Sequence, residues 1–245
     1  MQVDALAVRL RPRAPLEAAD LGASLCRSSA RSVYACYLVT AVPILALCVA
    51  TYEVGKWWLP ILLMWWLKPW LDRTIVFVLG RSAFGQRTTI ADLWRAQGRV
   101  WWRHVLITLT WRRLSPWRSF TEPVYQLEGH SLFNIRRRVK QIRGRRTGPA
   151  ILMTSTYAMA ELALTVAVAS LFVWLAPVET APSWRELFSG EEATLVTILI
   201  SVSYATVVLF LEPFYVAAGF AMYLNRRADL EAWDIEQEFR RAFAL

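Results

Sequence analysis

The chain has 245 residues, enough for one domain or a small pair. Hydrophobic residues make up 56% of it and 13 residues are Trp, which excludes an ordinary soluble domain and is typical of a bilayer protein. The net charge of +9 would suggest nucleic-acid binding in a soluble protein, but the positive-inside bias and anionic headgroups account for it here. We therefore expect membrane lipids as partners and no nucleic acid.

Four long apolar stretches divide the chain. Each meets the length of ~20 residues that a helix needs to cross ~30 Å of hydrocarbon. They are Val33–Tyr52, Trp57–Gly80, Ala150–Pro177 and Thr194–Asn225. The sequence thus predicts an all-α membrane protein with four transmembrane helices.

Positive charge is distributed unevenly around these stretches. Of 28 Lys and Arg residues, 24 lie in 1–32, 81–149 and 226–245. Positively charged segments stay cytoplasmic during insertion, so both termini and the middle segment are expected inside. The predicted parts are a basic lead with an amphipathic helix (1–32), a first two-span unit (33–80), a Trp/Arg-rich interfacial segment (81–149), a second two-span unit (150–225) and an amphipathic tail (226–245).

The first predicted element is an amphipathic helix from Leu16 to Arg31. Pro15 suits the first position of a helix, and Glu17 and Asp20 suit the positive end of its dipole. We expect this helix to lie on the cytoplasmic surface or to enter the membrane from it.

Prolines interrupt the second and the fourth stretch. Pro69 and Pro213 each remove a backbone donor and predict a kink. The second stretch fits either one kinked helix or two half-helices. The fourth has 32 residues, which is ~48 Å of straight helix, so it must tilt, kink or protrude.

The middle segment, 81–149, carries 15 Lys or Arg and three acidic residues. Thr89–Asp92 has the pattern of a capping box and predicts a helix start. The tryptophans that follow alternate with arginines, as in nucleic-acid stacking surfaces and in interfacial membrane helices. Because the chain is already anchored in a bilayer, we favour the interfacial helix.

A basic cluster ends the middle segment just before the third stretch. Juxtamembrane clusters of this kind hold anionic lipid headgroups. The predicted lipid-binding residues are Arg136, Arg137, Arg138, Lys140, Arg143, Arg145 and Arg146.

The sequence also makes predictions for the loop before the fourth stretch and for the tail. The loop 178–193 is acidic and is expected outside, with a short helix begun by Ser183. The tail is predicted to be an amphipathic helix whose apolar side carries Leu230, Trp233, Phe239 and Phe243.

A four-residue pattern occurs twice with the charge reversed. Leu67-Lys68-Pro69-Trp70 lies in the second stretch, and Leu211-Glu212-Pro213-Phe214 lies in the fourth. Lys68 precedes Arg81 by 13 residues and Glu212 precedes Arg226 by 14, so both lie ~20 Å above the inner boundary. We expect a parallel repeat of two-span units and a buried Lys68–Glu212 pair.

Charged residues within the stretches are the candidate functional residues, because charges at this depth are costly and turn inward to pair. Three interpretations of these residues stay open. The first is an ion-pair network that fixes helix register, and the second is a polar path for a proton, ion or substrate. The third is a set of charges beside water at a break in a helix. The predicted network comprises Lys68, Asp72, Arg73, Glu161 and Glu212.

Catalytic patterns are not found. The two histidines, His104 and His130, have no metal-ligand spacing. Cys26, Cys36 and Cys48 form no CxxC pair and read as small apolar residues. The sequence predicts neither an enzyme nor a cofactor or metal site.

Both ends of the chain carry a family resemblance. Arg9–Gly22, and the run from Glu212-Pro213-Phe214 through Arg226-Arg227 to Asp234, resemble bacterial membrane proteins related to the glycerophosphoryl diester phosphodiesterase membrane-domain group. That group has an acidic Glu-Gly-x-Asp run near its end, where this chain has Ala232 in place of the glycine. The resemblance implies a bacterial inner membrane and cell-envelope partners, and it implies no catalytic domain.

The leading functional hypothesis is a non-enzymatic inner-membrane subunit or scaffold that packs with other membrane proteins, or with itself, and with anionic lipids. One alternative is a small transporter or an ion or proton conduit built on the charges at depth. A weaker alternative is an enzyme that acts on lipid headgroups at the inner surface.

Overall fold

The structure, a computed structural model, describes residues 13–54, 58–129, 132–144, 146–175 and 191–231. Those residues form helices and no strand. A 3-10 turn, Thr51–Val54, follows α2, and a π-helical turn, Gly98–Trp102, lies between α4 and α5. The helices are α1 (Pro15–Ser28), α2 (Ala30–Ala50), α3 (Leu59–Ser82), α4 (Ile90–Arg95), α5 (Val105–Leu109), α6 (Arg118–Leu127), α7 (Leu132–Arg143), α8 (Thr147–Leu175) and α9 (Glu191–Glu231).

Three helical segments in the described residues are long and apolar enough to cross a membrane. They are Ala30–Glu53, Thr147–Phe172 and Val196–Glu231, which correspond to the first, third and fourth predicted stretches. The protein is therefore an all-helical, membrane-embedded protein with three candidate spans.

The second predicted stretch forms α3, which is not among those three. Lys68, Asp72 and Arg73 near its middle lower its apolar character, although its 24 residues correspond to ~36 Å of helix. α3 passes Pro69 without a break, so it is one helix and not two half-helices. α9 likewise continues through Pro213, and the kinks at both prolines stay predictions.

α1 packs closely against α9. A Cβ added at Gly22 would lie 2.2 Å from the carbonyl oxygen of Ala217, so only glycine permits this approach. At the start of α1, the backbone N–H of Arg13 donates to Asn225 Oδ1 at 3.0 Å, and Asn225 Nδ2 donates to the Arg13 carbonyl at 3.0 Å. Pro15 is the first residue of the helix, as predicted, and the helix joins α9 along its length.

α6 is buried between α3 and α9. A Cβ added at Gly219 of α9 would lie 2.4 Å from Ser119 Oγ and 2.5 Å from the Ser119 carbonyl carbon. α6 runs in the same direction as α9, because Arg118 contacts Glu212 while Glu128, just past its end, accepts from Tyr223 Oη at 2.8 Å. α6 therefore packs inside the helix bundle, and the interfacial position expected for 81–149 stays a prediction.

The segment between α3 and α6 has exposed apolar side chains. The capping box predicted at Thr89–Asp92 is present and starts α4. Trp101 is buried and donates through Nε1 to Thr74 Oγ1 of α3 at 3.1 Å. In contrast, the side chains of Leu106, Trp111 and Leu114 are 75%, 86% and 77% exposed.

α8 contacts α9 along one side and leaves the rest of its apolar surface open. α2 packs on α3 and α8 packs on α9, while α3 also packs on α9. The division into two repeated two-span units stays a prediction. The loop 178–190 with Ser183, the tail after Glu231 with Trp233, Phe239 and Phe243, and the residues Trp57, His130 and Arg145 lie outside the described residues.

Candidate functional site

Lys68 of α3 lies at the centre of the charged residues. Its Nζ is 2.6 Å from Glu212 Oε2 of α9 and 2.5 Å from Glu161 Oε2 of α8. The Lys68–Glu212 contact expected from the repeated motif is therefore present. Glu161 is a second partner, so this is not an isolated pair.

Arg118, the first residue of α6, extends the contacts. Its Nη2 is 3.2 Å from Glu212 Oε1 and 3.0 Å from Asp72 Oδ2 of α3. Positive and negative groups thus alternate across four helices. We call this set the charge chain: Asp72, Arg118, Glu212, Lys68 and Glu161.

The charge chain is shielded from solvent. The side chains of Asp72, Glu212, Arg118 and Lys68 are only 2%, 2%, 6% and 7% exposed, whereas that of Glu161 is 18% exposed. Removing one partner of such a buried pair costs about 3–5 kcal/mol, because the other charge is left unpaired. The charge chain therefore links α3, α6, α8 and α9, and its Glu161 end is the one nearest to solvent.

Arg73 belongs elsewhere, which corrects its predicted place in the network. Its Nη1 donates to Thr108 Oγ1 of α5 at 3.3 Å. Its carbonyl oxygen accepts from Gln126 Nε2 of α6 at 2.7 Å. Lys68 and Asp72 lie one helical turn apart on one side of α3, and the following residue, Arg73, points to a different neighbour. Arg73 thus fastens the middle segment to α3.

A second buried ion pair holds the middle segment together. Arg112 Nη2 lies 2.7 Å from Glu122 Oε2, and both side chains are almost fully buried. The Arg112 guanidinium also lies over the ring of Tyr125, 3.7 Å from its centroid. This pair ties the turn before α6 to the middle of α6.

Arg113 is the remaining buried cation at this level. Its guanidinium lies 3.6 Å from the centroid of the Trp65 ring, and the residue is 8% exposed. Its Nε has no hydrogen-bond partner, and no ion pair to it is found among the described residues.

A cleft of about 850 Å³ lies beside the charge chain. One wall is formed by Trp58, just before α3, and by Leu62 and Trp65 of α3, and the other is formed by α8 and α9. The loop before α6 closes one side. Lys68, Arg118, Glu161 and Glu212 line the cleft together with Arg113, so an apolar space meets charged groups at this point.

The predicted lipid-binding cluster divides into two groups. Arg138 pairs with Glu128 at 2.7 Å and with Glu231, and Arg146 pairs with Asp229 at 3.2 Å. Arg143 lies over the Trp117 ring, 4.7 Å from its centroid, and Arg145 is outside the described residues. Arg136, Arg137 and Lys140 are exposed.

Arg118 and Arg113 are the two residues that reasoning from the sequence missed. They lie in a segment whose arginines alternate with tryptophans, and that pattern predicts an interface. One feature of the sequence could have indicated that α6 is buried. The segment 81–149 has 15 basic and only three acidic residues, and Glu122 is one of the three. An acidic residue in the middle of a short helix of low charge favours a buried basic partner, which here is Arg112.

The described His and Cys residues form no further candidate site. The described residues contain no group of three or more His, Cys, Asp or Glu side chains arranged to hold a metal ion. Cys26, Cys36 and Cys48 are free and buried. His104 has a φ of 58°, in the left-handed region, and marks the sharp turn before α5.

No protein-family model matches the chain, and no curated protein or solved structure matches it significantly. The family resemblance at the two ends of the chain therefore stays a prediction.

Proposed function

We propose that this protein is a non-enzymatic subunit or scaffold of the bacterial inner membrane, with both termini in the cytoplasm. The observation that carries the proposal is that the members of the charge chain pair with one another. Each cation has two carboxylate partners: Lys68 has Glu161 and Glu212, and Arg118 has Asp72 and Glu212. Charged groups that form ion pairs with one another at these distances fix the register of the helices that carry them.

α3 serves as the fourth span in this proposal. Its charged residues turn inward, because Lys68, Asp72 and Arg73 are all buried against other helices. Its exposed side carries Leu62, Trp65 and Trp66, which suit hydrocarbon. A helix of this length with its charges satisfied by neighbours meets the requirements for a span.

The middle segment re-enters the membrane in this proposal. Arg118 lies at the level of Glu212, which is 14 residues from Arg226 along α9, or ~20 Å along the helix axis. The exposed side chains of Trp111 and Leu114, near the tip of the segment, would then face lipid. Backbone that is irregular at such depth is tolerated where protein covers it. The turn before α6 is held against protein by the buried side chains of Arg112 and Arg113.

The surface for partners is α8. It has 29 residues and packs mainly on α9. Met159, Val166 and Leu171 are 65%, 59% and 56% exposed along it and do not line the cleft. In a bilayer such a side contacts lipid or another membrane protein, and its small and medium side chains permit close helix packing.

A conduit for a proton or ion is the second candidate, and one observation favours it. Four members of the charge chain line the cleft, and the side chain of Glu161 is the least buried of the five members. A partly exposed ionisable group that lines a cleft is an arrangement that a proton path requires.

Flux measurements separate the two functions. The purified chain is reconstituted alone in liposomes that enclose a pH-sensitive dye, and a potassium gradient with valinomycin drives proton entry. The scaffold predicts a proton leak equal to that of empty liposomes, and the same leak for Glu161→Gln. A leak well above that of empty liposomes that Glu161→Gln abolishes would establish the conduit instead.

A further inference from the structure

The cleft beside the charge chain contains donors that the protein leaves unused. Arg113 lines it, is 8% exposed, and has no ion pair among the described residues. Ser115, two residues later, also lines the cleft, and its Oγ has no hydrogen-bond partner within the described structure. Buried donors without partners are costly, so a ligand that supplies acceptors would be stabilised here.

The rest of the cleft is apolar and long. Trp58, just before α3, and Leu62 and Trp65 on α3 line it over eight residues, which is ~10 Å of helix. On the opposite wall, Leu162 of α8 and Ile200 of α9 face the same space. A hydrocarbon chain fits such a wall, whereas a small hydrophilic anion would leave it unfilled.

We infer that the cleft binds an acidic lipid, with the anionic group on Arg113 and Ser115 and the hydrocarbon along the α3 wall. A guanidinium that lies over an aromatic ring can still donate hydrogen bonds to a phosphate or carboxylate through its N–H groups. The carboxylates of the charge chain already have Lys68 and Arg118 as direct partners. Arg113 is therefore the cation that remains for a ligand.

This site is distinct from the exposed cytoplasmic residues Arg136, Arg137 and Lys140. Those residues attract headgroups at the membrane surface, and exchange with surrounding lipid is expected to be fast. The cleft lies between helices and offers both an anion partner and an apolar wall, so a bound lipid is expected to survive removal from the bilayer. The inference does not depend on whether the protein is a subunit or a conduit.

The test is native mass spectrometry of the protein released from nanodiscs. One preparation contains phosphatidylglycerol with phosphatidylcholine, and another contains oleate with phosphatidylcholine. The wild type is expected to keep one acidic lipid and no phosphatidylcholine at high collision energy. Retention of phosphatidylglycerol identifies a lipid phosphate as the anion, and retention of oleate identifies a carboxylate.

Two variants and one control make the test specific. Arg113→Met should reduce the retained acidic lipid by about tenfold or more, as expected for the loss of a charge-assisted hydrogen bond. Ala158→Phe, which leaves Arg113 in place and fills the cleft from α8, should have the same effect. Arg99→Met, the control, removes an exposed arginine that belongs neither to the cleft nor to the basic cluster, and it should change nothing. The inference is overturned if both cleft variants retain the acidic lipid as the wild type does, or if phosphatidylcholine is retained equally.

Discussion

Lys68 of α3 and Glu212 of α9 are in direct contact, with 2.6 Å between Nζ and Oε2, and each residue directly precedes a proline in its helix. Neither residue is limited to this contact. Lys68 also reaches Glu161, and Glu212 also reaches Arg118. The contact therefore belongs to a chain of alternating charges, and its mutational behaviour should differ from that of a simple pair.

Lys68→Met should destabilise the protein by about 3–5 kcal/mol, because it leaves Glu161 and part of Glu212 without a cation. The double variant Lys68→Met with Glu161→Gln should be less destabilised than Lys68→Met alone, since Glu212 retains Arg118. Stability is measured in mild detergent as the temperature at which a thiol-reactive dye labels Cys26, Cys36 and Cys48, which are buried in the folded protein.

Exchanging the charges, with Lys68→Glu and Glu212→Lys together, should not restore stability. The new glutamate would face Glu161, and the new lysine would face Arg118. Like charges at these distances repel strongly when buried. An exchange variant that is clearly more stable than Lys68→Met would show that the two residues act as an isolated pair.

Gly219→Ala should lower the unfolding temperature, because a Cβ there would lie 2.4 Å from Ser119 Oγ. Overpacking of this kind costs about 1–3 kcal/mol. Gly148→Ala is the matched control, since nothing lies within 4 Å of a Cβ added there. The control should stay within ~1 kcal/mol of the wild type or gain stability. Equal effects of the two changes would contradict the close contact of α6 with α9.

The basic cluster should separate into two kinds of residue. Neutralising the exposed residues Arg136, Arg137 and Lys140 together should weaken binding to anionic liposomes, at about 1 kcal/mol for each charge, without changing the unfolding temperature. Arg138→Met should do the reverse, because it leaves Glu128 and Glu231 without that partner. Co-sedimentation with liposomes and the thiol-dye assay measure the two effects. Similar effects of both changes would contradict this division.

The orientation is tested by labelling introduced cysteines in intact cells. A cysteine at Glu191 should react with an impermeant maleimide from the periplasm, and one at Asn134 only after permeabilisation, because the positive segments stay inside. The native cysteines are buried and should label slowly. Periplasmic labelling at Asn134 would reverse the proposed topology.

Much of the helical architecture follows from the sequence, because long apolar stretches and capping patterns are local signals. Pro15 at the start of α1 and the capping box at Thr89–Asp92 appear as predicted. The Lys68–Glu212 contact could be predicted because its partners repeat one motif at matching depth. α3 is the exception among the four stretches. The sequence predicts a span there, but the helix is not among the three candidate spans because of the charged residues near its middle.

The role of the middle segment could not be predicted in the same way. Arg118 contacts Asp72 and Glu212, the latter 94 residues away in the chain, and no local pattern marks such a contact. Its neighbouring tryptophans and arginines resemble those of surface helices. The difference arises from packing: Gly219 permits α6 to approach α9, and that approach brings Arg118 to the carboxylates.

The entry of the middle segment to the depth of the charge chain is the central claim, and a spin label at Leu114→Cys tests it most directly. Leu114 is 77% exposed, so a label there should not disturb the packing. Labels at Trp66→Cys, on the exposed side of α3, and at Asn134→Cys, on α7, serve as references for lipid and for water. Power saturation in liposomes should show the Leu114 label accessible to oxygen and shielded from a water-soluble nickel chelate, like the Trp66 label. A Leu114 label as accessible to the nickel chelate as the Asn134 label would contradict the account.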